Sequence, residues 1–427
     1  MVVQSVDLAS SNPALRKRKT VVGLLLTALL LCYIDRTIIS LAAIKMQQEF
    51  GWTDTQKGLV LSVFYGGYLM MQLAGGLLSN KFGGRNVFFL AVLAWSICTI
   101  LTPAAAYTSF AVLIGARVIL GLGEGPAYPA SYNLIHGWVP PEERSRAVAL
   151  ISSAAAVGTV FALLVTGKMM DAFGWPLVFY LFGSMGLVWA AFWLFMVPST
   201  APLDEERANL SASKRKIPWK ILLFHPSVVI LYLVALGGQA ASFFIASWLP
   251  SYLVDTFAVT TTTAGLYAIL PWLALAIITY LAGLYADRRI QSGENSLPIR
   301  RRMLRIGFGL MITGFLCLTV APNVQAAIFL VFLVFAGLGI VIPGFSTVPA
   351  ELLPHHGDIL FGFVSSFATI MSMIYVAGTG VLLDLTGSYN LMFVLVAATC
   401  MMSALIFQFF SRTDEILLNQ QFVSVPD

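Results

Sequence analysis

Apolar runs of about twenty residues recur from one end of the chain to the other, separated by short clusters of Gly, Pro and charged residues. A bilayer core about 30 Å thick is crossed by about 20 apolar residues of helix. The pattern therefore predicts helices over 20–44, 54–79, 85–105, 109–135, 145–168, 175–197, 226–253, 262–285, 302–321, 324–350, 358–383 and 388–411. The longest polar interruption falls at 198–225, where Asp204-Glu205-Glu206-Arg207 and Lys214-Arg215-Lys216 stand. The expected fold is an all-α membrane protein of twelve transmembrane helices, arranged as two six-helix bundles (6+6) around a central cavity. The bundles are 20–197 and 226–411, joined by a cytoplasmic linker at 198–225 and flanked by cytoplasmic tails at 1–19 and 412–427.

Composition agrees with that pattern. Of 427 residues 58% are hydrophobic and only 11% charged, against about 25% charged in an ordinary soluble domain. The basic residues set an orientation. With twelve helices, twenty of the 25 Lys and Arg collect on the side of both termini, among them Arg16–Lys19, Lys81, Arg85, Arg144, Arg207, Arg288, the run Arg300, Arg301, Arg302 and Arg305, and Arg412. The other side keeps Lys45, Lys57 and Lys168. Basic loops stay in the cytoplasm, so both termini are expected there. The net charge of +5 is a topology signal, and no nucleic-acid partner is expected. Arg16-Lys17-Arg18-Lys19 before an apolar run resembles a signal peptide, but no small-residue cleavage site follows, and the run is read as the first membrane helix. Cys32, Cys98, Cys317 and Cys400 lie singly in apolar runs and are read as small buried hydrophobes; no spacing suggests a metal.

Two short repeats support the division into halves. Gly121-Leu122-Gly123 recurs as Gly337-Leu338-Gly339, an offset of 216 (337 less 121), and the loop from Gly76 to Lys81 recurs from Gly283 to Arg288, an offset of 207 (283 less 76). Parallel repeats of this kind build one class of transporter.

Four charges fall inside predicted membrane helices: Asp35, Arg36, Arg117 and Glu124. Each costs about 2.5–3.5 kcal/mol at a helix centre on insertion scales, so they must be paired or hydrated. Arg117 and Glu124, seven apart, share a helix face, whereas Asp35 and Arg36 point about 100° apart. A purely structural clamp of helices is one reading. The other is a substrate and ion site, since apolar packing would hold the helices without this penalty. Under the 216 offset Glu124 corresponds to Ile340 and Arg117 to Leu333, so only the first half carries charge. The second half offers neutral groups, Gln239, Ser242, Tyr267, Ser346, Thr347, Ser365, Ser366, Thr369 and Tyr375, some of which will only satisfy backbone carbonyls. Ion handling is expected in one half and hydrogen bonding to substrate in the other.

At these residues the chain resembles the anion:cation symporter branch of the major facilitator superfamily. The resemblance rests on Tyr33-Ile34-Asp35-Arg36, on Arg117 followed by Gly121-Leu122-Gly123-Glu124-Gly125-Pro126-Ala127-Tyr128-Pro129, and on Trp138-Val139-Pro140-Pro141-Glu142-Glu143-Arg144. That branch includes bacterial galactonate and hexuronate transporters, with animal sialin and the vesicular glutamate carriers more distant. The resemblance implies that Arg36 holds a substrate carboxylate, that Glu124 takes part in proton coupling, and that Asp35 and Arg117 accompany them. Tyr33, Tyr68, Gln72, Tyr128, Gln239, Ser242, Tyr267, Ser346, Ser365, Ser366 and Thr369 are the further substrate candidates; Asn80, Lys81, Arg85, Asp287 and Arg288 are the gating candidates. Three departures stand out. Asn80 replaces the usual Asp, Ser366 falls where galactonate-type carriers place Asn, and no Arg stands near Gly238-Gln239 as in the glutamate carriers. The last two count against sugar-acid and glutamate specificity. The loop between the first two helices is short, and the sequon Asn209-Leu210-Ser211 is on the cytoplasmic side, so a bacterial inner membrane is the expected location.

Asp35, Arg36, Arg117 and Glu124, all ionised, sum to zero. A monoanion alone leaves a net charge in a low-dielectric site, which is expensive; a monoanion with a proton on Glu124 restores neutrality. The expected function is therefore proton-coupled symport of an organic carboxylate by a monomer, with no cofactor, H+ as the coupling ion and Na+ left open. Exchange or facilitated passage without a proton, drug efflux, and a non-transporting membrane sensor are the rivals. No catalytic triad, metal spacing or phosphate loop suggests an enzyme.

Overall fold

The computed structural model describes residues 13–198, 219–353 and 357–411. The expected linker and tails, the sequon at Asn209, and Arg207, Lys214, Arg215, Lys216 and Arg412 lie wholly or mainly outside the described residues. The described chain is helical almost throughout: α1 (Pro13–Phe50), α2 (Asp54–Phe82), α3 (Gly84–Thr108), α4 (Phe110–Glu124), α5 (Ala127–Trp138), α6 (Pro141–Phe173), α7 (Trp175–Met196), α8 (Trp219–Phe224), α9 (Pro226–Phe257), α10 (Thr261–Gln291), α11 (Ser296–Leu318), α12 (Val324–Phe345), α13 (Val348–Leu352), α14 (Gly357–Thr386) and α15 (Asn390–Phe410). Ten helical stretches among the described residues are long and apolar enough to cross a membrane, and α2, bent by 45° between Gln72 and Ala74, makes an eleventh. The twelfth expected span, α11, carries Arg300, Arg301, Arg302 and Arg305 in its first half.

Two expected helices are each split. The stretch 109–135 becomes α4 and α5, because Pro126 and Pro129 each lack an amide donor for the ladder. The stretch 324–350 becomes α12 and α13, interrupted at Ser346-Thr347 between Pro343 and Pro349. Arg300, read from sequence as a loop charge, is instead 4% exposed. Its Nε donates to both Glu351 oxygens at 2.9 and 3.1 Å, and its Nη1 to the Pro343 carbonyl at 3.2 Å. One arginine thereby ties α11 to α12 and α13.

The chain divides into two compact units. One holds the described residues up to Ala42 and from Val63 through α7; the other holds Ala43–Ser62 and the described residues from α8 onward. In the first unit α4 lies against α2 at backbone distance. A Cβ on Gly121 would sit 2.1 Å from the Phe64 carbonyl oxygen, and one on Gly125 2.6 Å from that of Tyr68. Small residues at such crossings let helices close to van der Waals contact in a membrane.

The internal repeat is visible in the structure; the 207 register agrees with the sequence expectation and the 216 register does not. α1 and α9 end at Phe50 and Phe257, α2 and α10 begin at Asp54 and Thr261, and both three-residue turns start in the left-handed region, at Gly51 (φ 65°) and Ala258 (φ 54°). These agree on an offset of 207 (261 less 54). Further along, Ser109 caps α4 by accepting from the Val112 amide and Asn323 caps α12 by accepting from the Ala326 amide, an offset of 214 (323 less 109). Gly123 faces Trp95 of α3 and Gly337 faces Gly307 of α11, again 214 apart. The 216 register paired Gly121 with Gly337, although Gly121 meets α2. Glu124 therefore corresponds to Leu338, not Ile340, and Arg117 to Val331, not Leu333. Both counterparts are buried and apolar, so the asymmetry of charge stands on different residues.

Candidate functional site

In the first unit α1, α2 and α4 bring the predicted charges together. Glu124 ends α4 at the Gly125-Pro126 break and is fully buried. Arg36 of α1 donates from Nε to its Oε2 at 2.6 Å, with the arginine side chain 17% exposed. Nε–H and Nη2 lie along one edge of a guanidinium and can serve both oxygens of a carboxylate. Here only one of the two contacts is made. Arg36 Nη2 and Glu124 Oε1 are both buried and without hydrogen-bond partners among the described residues, as are Asp35 Oδ1 and Gln72 Oε1. Unsatisfied buried polar atoms are rare and costly.

Aromatic rings hold the guanidinium in place. Its carbon lies 4.3 Å from the Tyr68 ring centre, 5.1 Å from Tyr33 and 5.3 Å from Phe64. The guanidinium of the buried Arg117 lies 5.2 Å from the centre of the same Phe64 ring. Tyr128 of α5 donates to the Tyr33 hydroxyl at 3.4 Å. Tyr33, Asp35, Arg36, Tyr68, Gln72, Arg117, Glu124 and Tyr128 therefore all belong to the first unit. Sequence reasoning missed two residues of the cluster. Phe64 looked like any apolar helix position. Cys32, read as a small hydrophobe, donates its thiol to Glu124 Oε2 at 3.2 Å; it stands one turn before Arg36, a spacing that could have flagged it.

In the second unit a cavity of about 280 Å³ is lined by Gln239, Ser242, Ser346 and Ser365 among apolar residues including Leu338 and Phe345. By the repeat, Gln239 and Ser242 occupy the places of Cys32 and Asp35, and Leu338 that of Glu124. The remaining candidates are placed differently. Thr369 spends its hydroxyl on the Ser365 carbonyl at 2.8 Å, and Tyr375 bonds Thr399. Ser366 is buried with its hydroxyl unpartnered, and Tyr267 is half-buried outside the cavity lining. Thr347 is exposed.

Of the gating candidates, Asn80 accepts from Asn133 Nδ2 of α5 at 3.1 Å. Arg85 donates to the Val197 and Leu194 carbonyls at 2.7 and 3.3 Å, closing the end of α7. Lys81 is exposed and lies over Phe82. Asp287 and Arg288 are exposed and form no ion pair among the described residues.

A second buried charge cluster was not anticipated. Lys57, counted from sequence only as a basic residue on the side opposite the termini, is 1% exposed; its Nζ lies 3.2 Å from Asp54 and 3.6 Å from Asp255, and 4.9 Å from the Trp248 ring centre. Asp384 of α14 accepts from the Asp54 and Thr55 amides, each at 2.9 Å, and so caps α2 from another helix. Tyr389 donates to Asp255 Oδ2 at 2.7 Å. Burial, reinforced by the Asp255 carboxylate, holds the Tyr389 phenol well above its ordinary range, so it remains a donor. All of these residues belong to the second unit.

The description of the Major Facilitator Superfamily matches residues 25–356. "Probable anion transporter 4, chloroplastic" of Oryza sativa subsp. japonica is 33% identical over 94% of this chain and 70% of its own length. Two proteins of Arabidopsis thaliana follow: "Ascorbate transporter, chloroplastic", 31% identical over 94% of this chain and 76% of its own, and "Sodium-dependent phosphate transport protein 1, chloroplastic", 32% identical over 94% and 80%. The fold is similar to the crystal structure of a D-xylose-proton symporter, with a TM-score of 0.73 over 93% of this chain and 98% of that one at 17% identity.

Proposed function

We propose, since this multi-pass membrane chain belongs to the major facilitator superfamily, that it is a proton-coupled symporter of a small organic anion bearing a carboxylate. The observation that carries the reading is the half-made pair between Arg36 and Glu124. With Glu124 ionised, Arg36 Nε is held at 2.6 Å while Nη2 has no acceptor among the described residues. A carboxylate on the substrate supplies the missing acceptor. A proton on Glu124 neutralises the competing carboxylate and releases the whole Nε/Nη2 edge for two-point binding. The rings of Tyr33, Phe64 and Tyr68 keep the guanidinium oriented after its partner is lost. A monoanion and a proton together leave the four-charge cluster neutral. The neutral cavity of the second unit offers hydrogen-bonding groups of its own, Gln239, Ser242, Ser346 and Ser365. Alternating access by the two units then moves anion and proton together.

Twelve spans, cytoplasmic termini and a bacterial inner membrane complete the reading. They are supported by the distribution of basic residues and by the short α1–α2 turn, while the plant relatives carry chloroplast names. A second reading has its own support: one relative is named sodium-dependent, so Na+ is the rival coupling ion. Purified protein in proteoliposomes, offered a panel of carboxylates with ascorbate and inorganic phosphate, tests both. Accumulation driven by an inward pH gradient supports the proton reading. Accumulation driven only by a Na+ gradient replaces it, and equilibration without accumulation under either gradient supports the exchanger.

A further inference from the structure

Cys32 touches the oxygen that Arg36 holds. Its Sγ lies 3.2 Å from Glu124 Oε2, the cysteine is fully buried, and Oε2 therefore receives a thiol and a guanidinium while Oε1 has no donor among the described residues. A thiol is a weak donor and rarely decides a structure. Its value here comes from where it sits. Both donors come from one helix, one turn apart, and both aim at the same carboxylate oxygen across the α1–α4 interface. They fix which oxygen of Glu124 stays ion-paired and leave the other as the atom open to a proton.

We infer that Cys32 is a positioning residue for the coupled carboxylate: its thiol holds Glu124 Oε2 on the Arg36 side and favours the ionised form, leaving Oε1 to receive the proton. The inference rests on Glu124 being the coupled group. Other ionisable side chains face this carboxylate or its partner, namely Asp35 and Tyr33 from α1, Tyr68 from α2 and Arg117 from α4, with Tyr65 beside Arg117 and Tyr128 bonded to Tyr33. None of them replaces a donor removed at position 32. When Arg36 is drawn to a substrate, the thiol is the donor that stays with Glu124.

Three variants separate donation from packing. Cys32→Ala and Cys32→Val both remove the donor, and Val keeps the volume; Cys32→Ser keeps a donor. A hydrogen bond to the ionised form favours that form, so its loss makes Glu124 hold its proton to higher pH. Infrared difference titration of the reconstituted full chain reads this without any substrate. The carboxyl C=O band of Glu124 is the one that Glu124→Gln deletes, and the S–H stretch of Cys32 is the one that Cys32→Ala deletes. The expected result is an upward shift of the Glu124 midpoint by roughly half a pH unit in both Ala and Val variants. It returns toward the parent in Cys32→Ser, and the S–H stretch in the parent lies at the low frequency of a donating thiol. Midpoints equal to the parent in Ala and Val overturn the inference, and so does a shift in Ala alone, which marks packing. If no band deleted by Glu124→Gln titrates, the proton reading of Glu124 fails and takes this inference with it. That outcome is distinguished by the missing band rather than by an unmoved one.

Discussion

The Arg36–Glu124 cluster and the cavity of the second unit occupy matching places in the two repeats, and they have opposite contents. Cys32, Asp35 and Glu124 on one side answer to Gln239, Ser242 and Leu338 on the other. The first place is filled with paired charge, and the second is open, neutral and about 280 Å³ in volume. Both are built by the same helix pattern, with the same capped start of α4 and α12 and the same left-handed turn after α1 and α9. The difference therefore comes from a few side chains and not from the scaffold. It teaches that a duplicated frame lets one half keep a buried carboxylate while the other keeps a cavity lined by neutral polar groups. The Lys57 cluster sharpens the contrast. Its lysine is as buried as Glu124 while its acids reach the surface, and here Asp384 fills both oxygens and Asp255 is served by both Lys57 and Tyr389. The Lys57 cluster has its acceptors filled, whereas Arg36 Nη2 and Glu124 Oε1 have no partner among the described residues.

The largest effect is expected at Arg36. Arg36→Lys keeps the charge but loses the planar edge and the stacking on three rings, and counterflow should fall by at least about tenfold, as one lost charge-assisted hydrogen bond of about 1.5–3 kcal/mol implies. Near-parental counterflow would return Arg36 to a structural role and erase the contrast. Lys57→Met should act in the opposite sense. It removes one partner of a buried network whose acids are half-exposed, so thermal unfolding in detergent should show a loss of about 1–3 kcal/mol while counterflow persists. A variant of normal stability without transport would move Lys57 into the machinery. The smallest effect is expected from Gln239→Leu. One neutral hydrogen bond is worth about 0.5–1.5 kcal/mol, so half-saturation for an anion with hydroxyl groups should rise by about twofold to twelvefold, with little change for a simple carboxylate.

The first unit's charges were legible because burying them is expensive, and expense is visible in sequence. Asp35, Arg36, Arg117 and Glu124 stood out for that reason alone. Lys57 did not. It stands in the first turn of the second predicted helix among Thr53, Asp54 and Thr55, where a lysine reads as solvated; its burial comes with Trp248 and Asp255, about two hundred positions away. Cys32 and Phe64 were hidden by chemistry that resembles the apolar background. The repeat was legible, but Gly-Leu-Gly matches itself two residues out of register, and only the facing helix tells Gly121 from Gly123. Arg300 illustrates the reverse error, since a run of arginines looks like a loop until Glu351 is seen to bury one of them.

Glu124→Gln decides the central question. The substitution holds position 124 in the shape of the protonated acid and removes the group on which a proton gradient acts. In the same proteoliposomes two quantities are compared for whichever anion of the panel the parent carries: counterflow at equal pH, and accumulation under an inward pH gradient. Counterflow should persist, because exchange requires no release of the proton, and accumulation should fall to equilibration. Accumulation equal to the parent's would contradict proton coupling through Glu124.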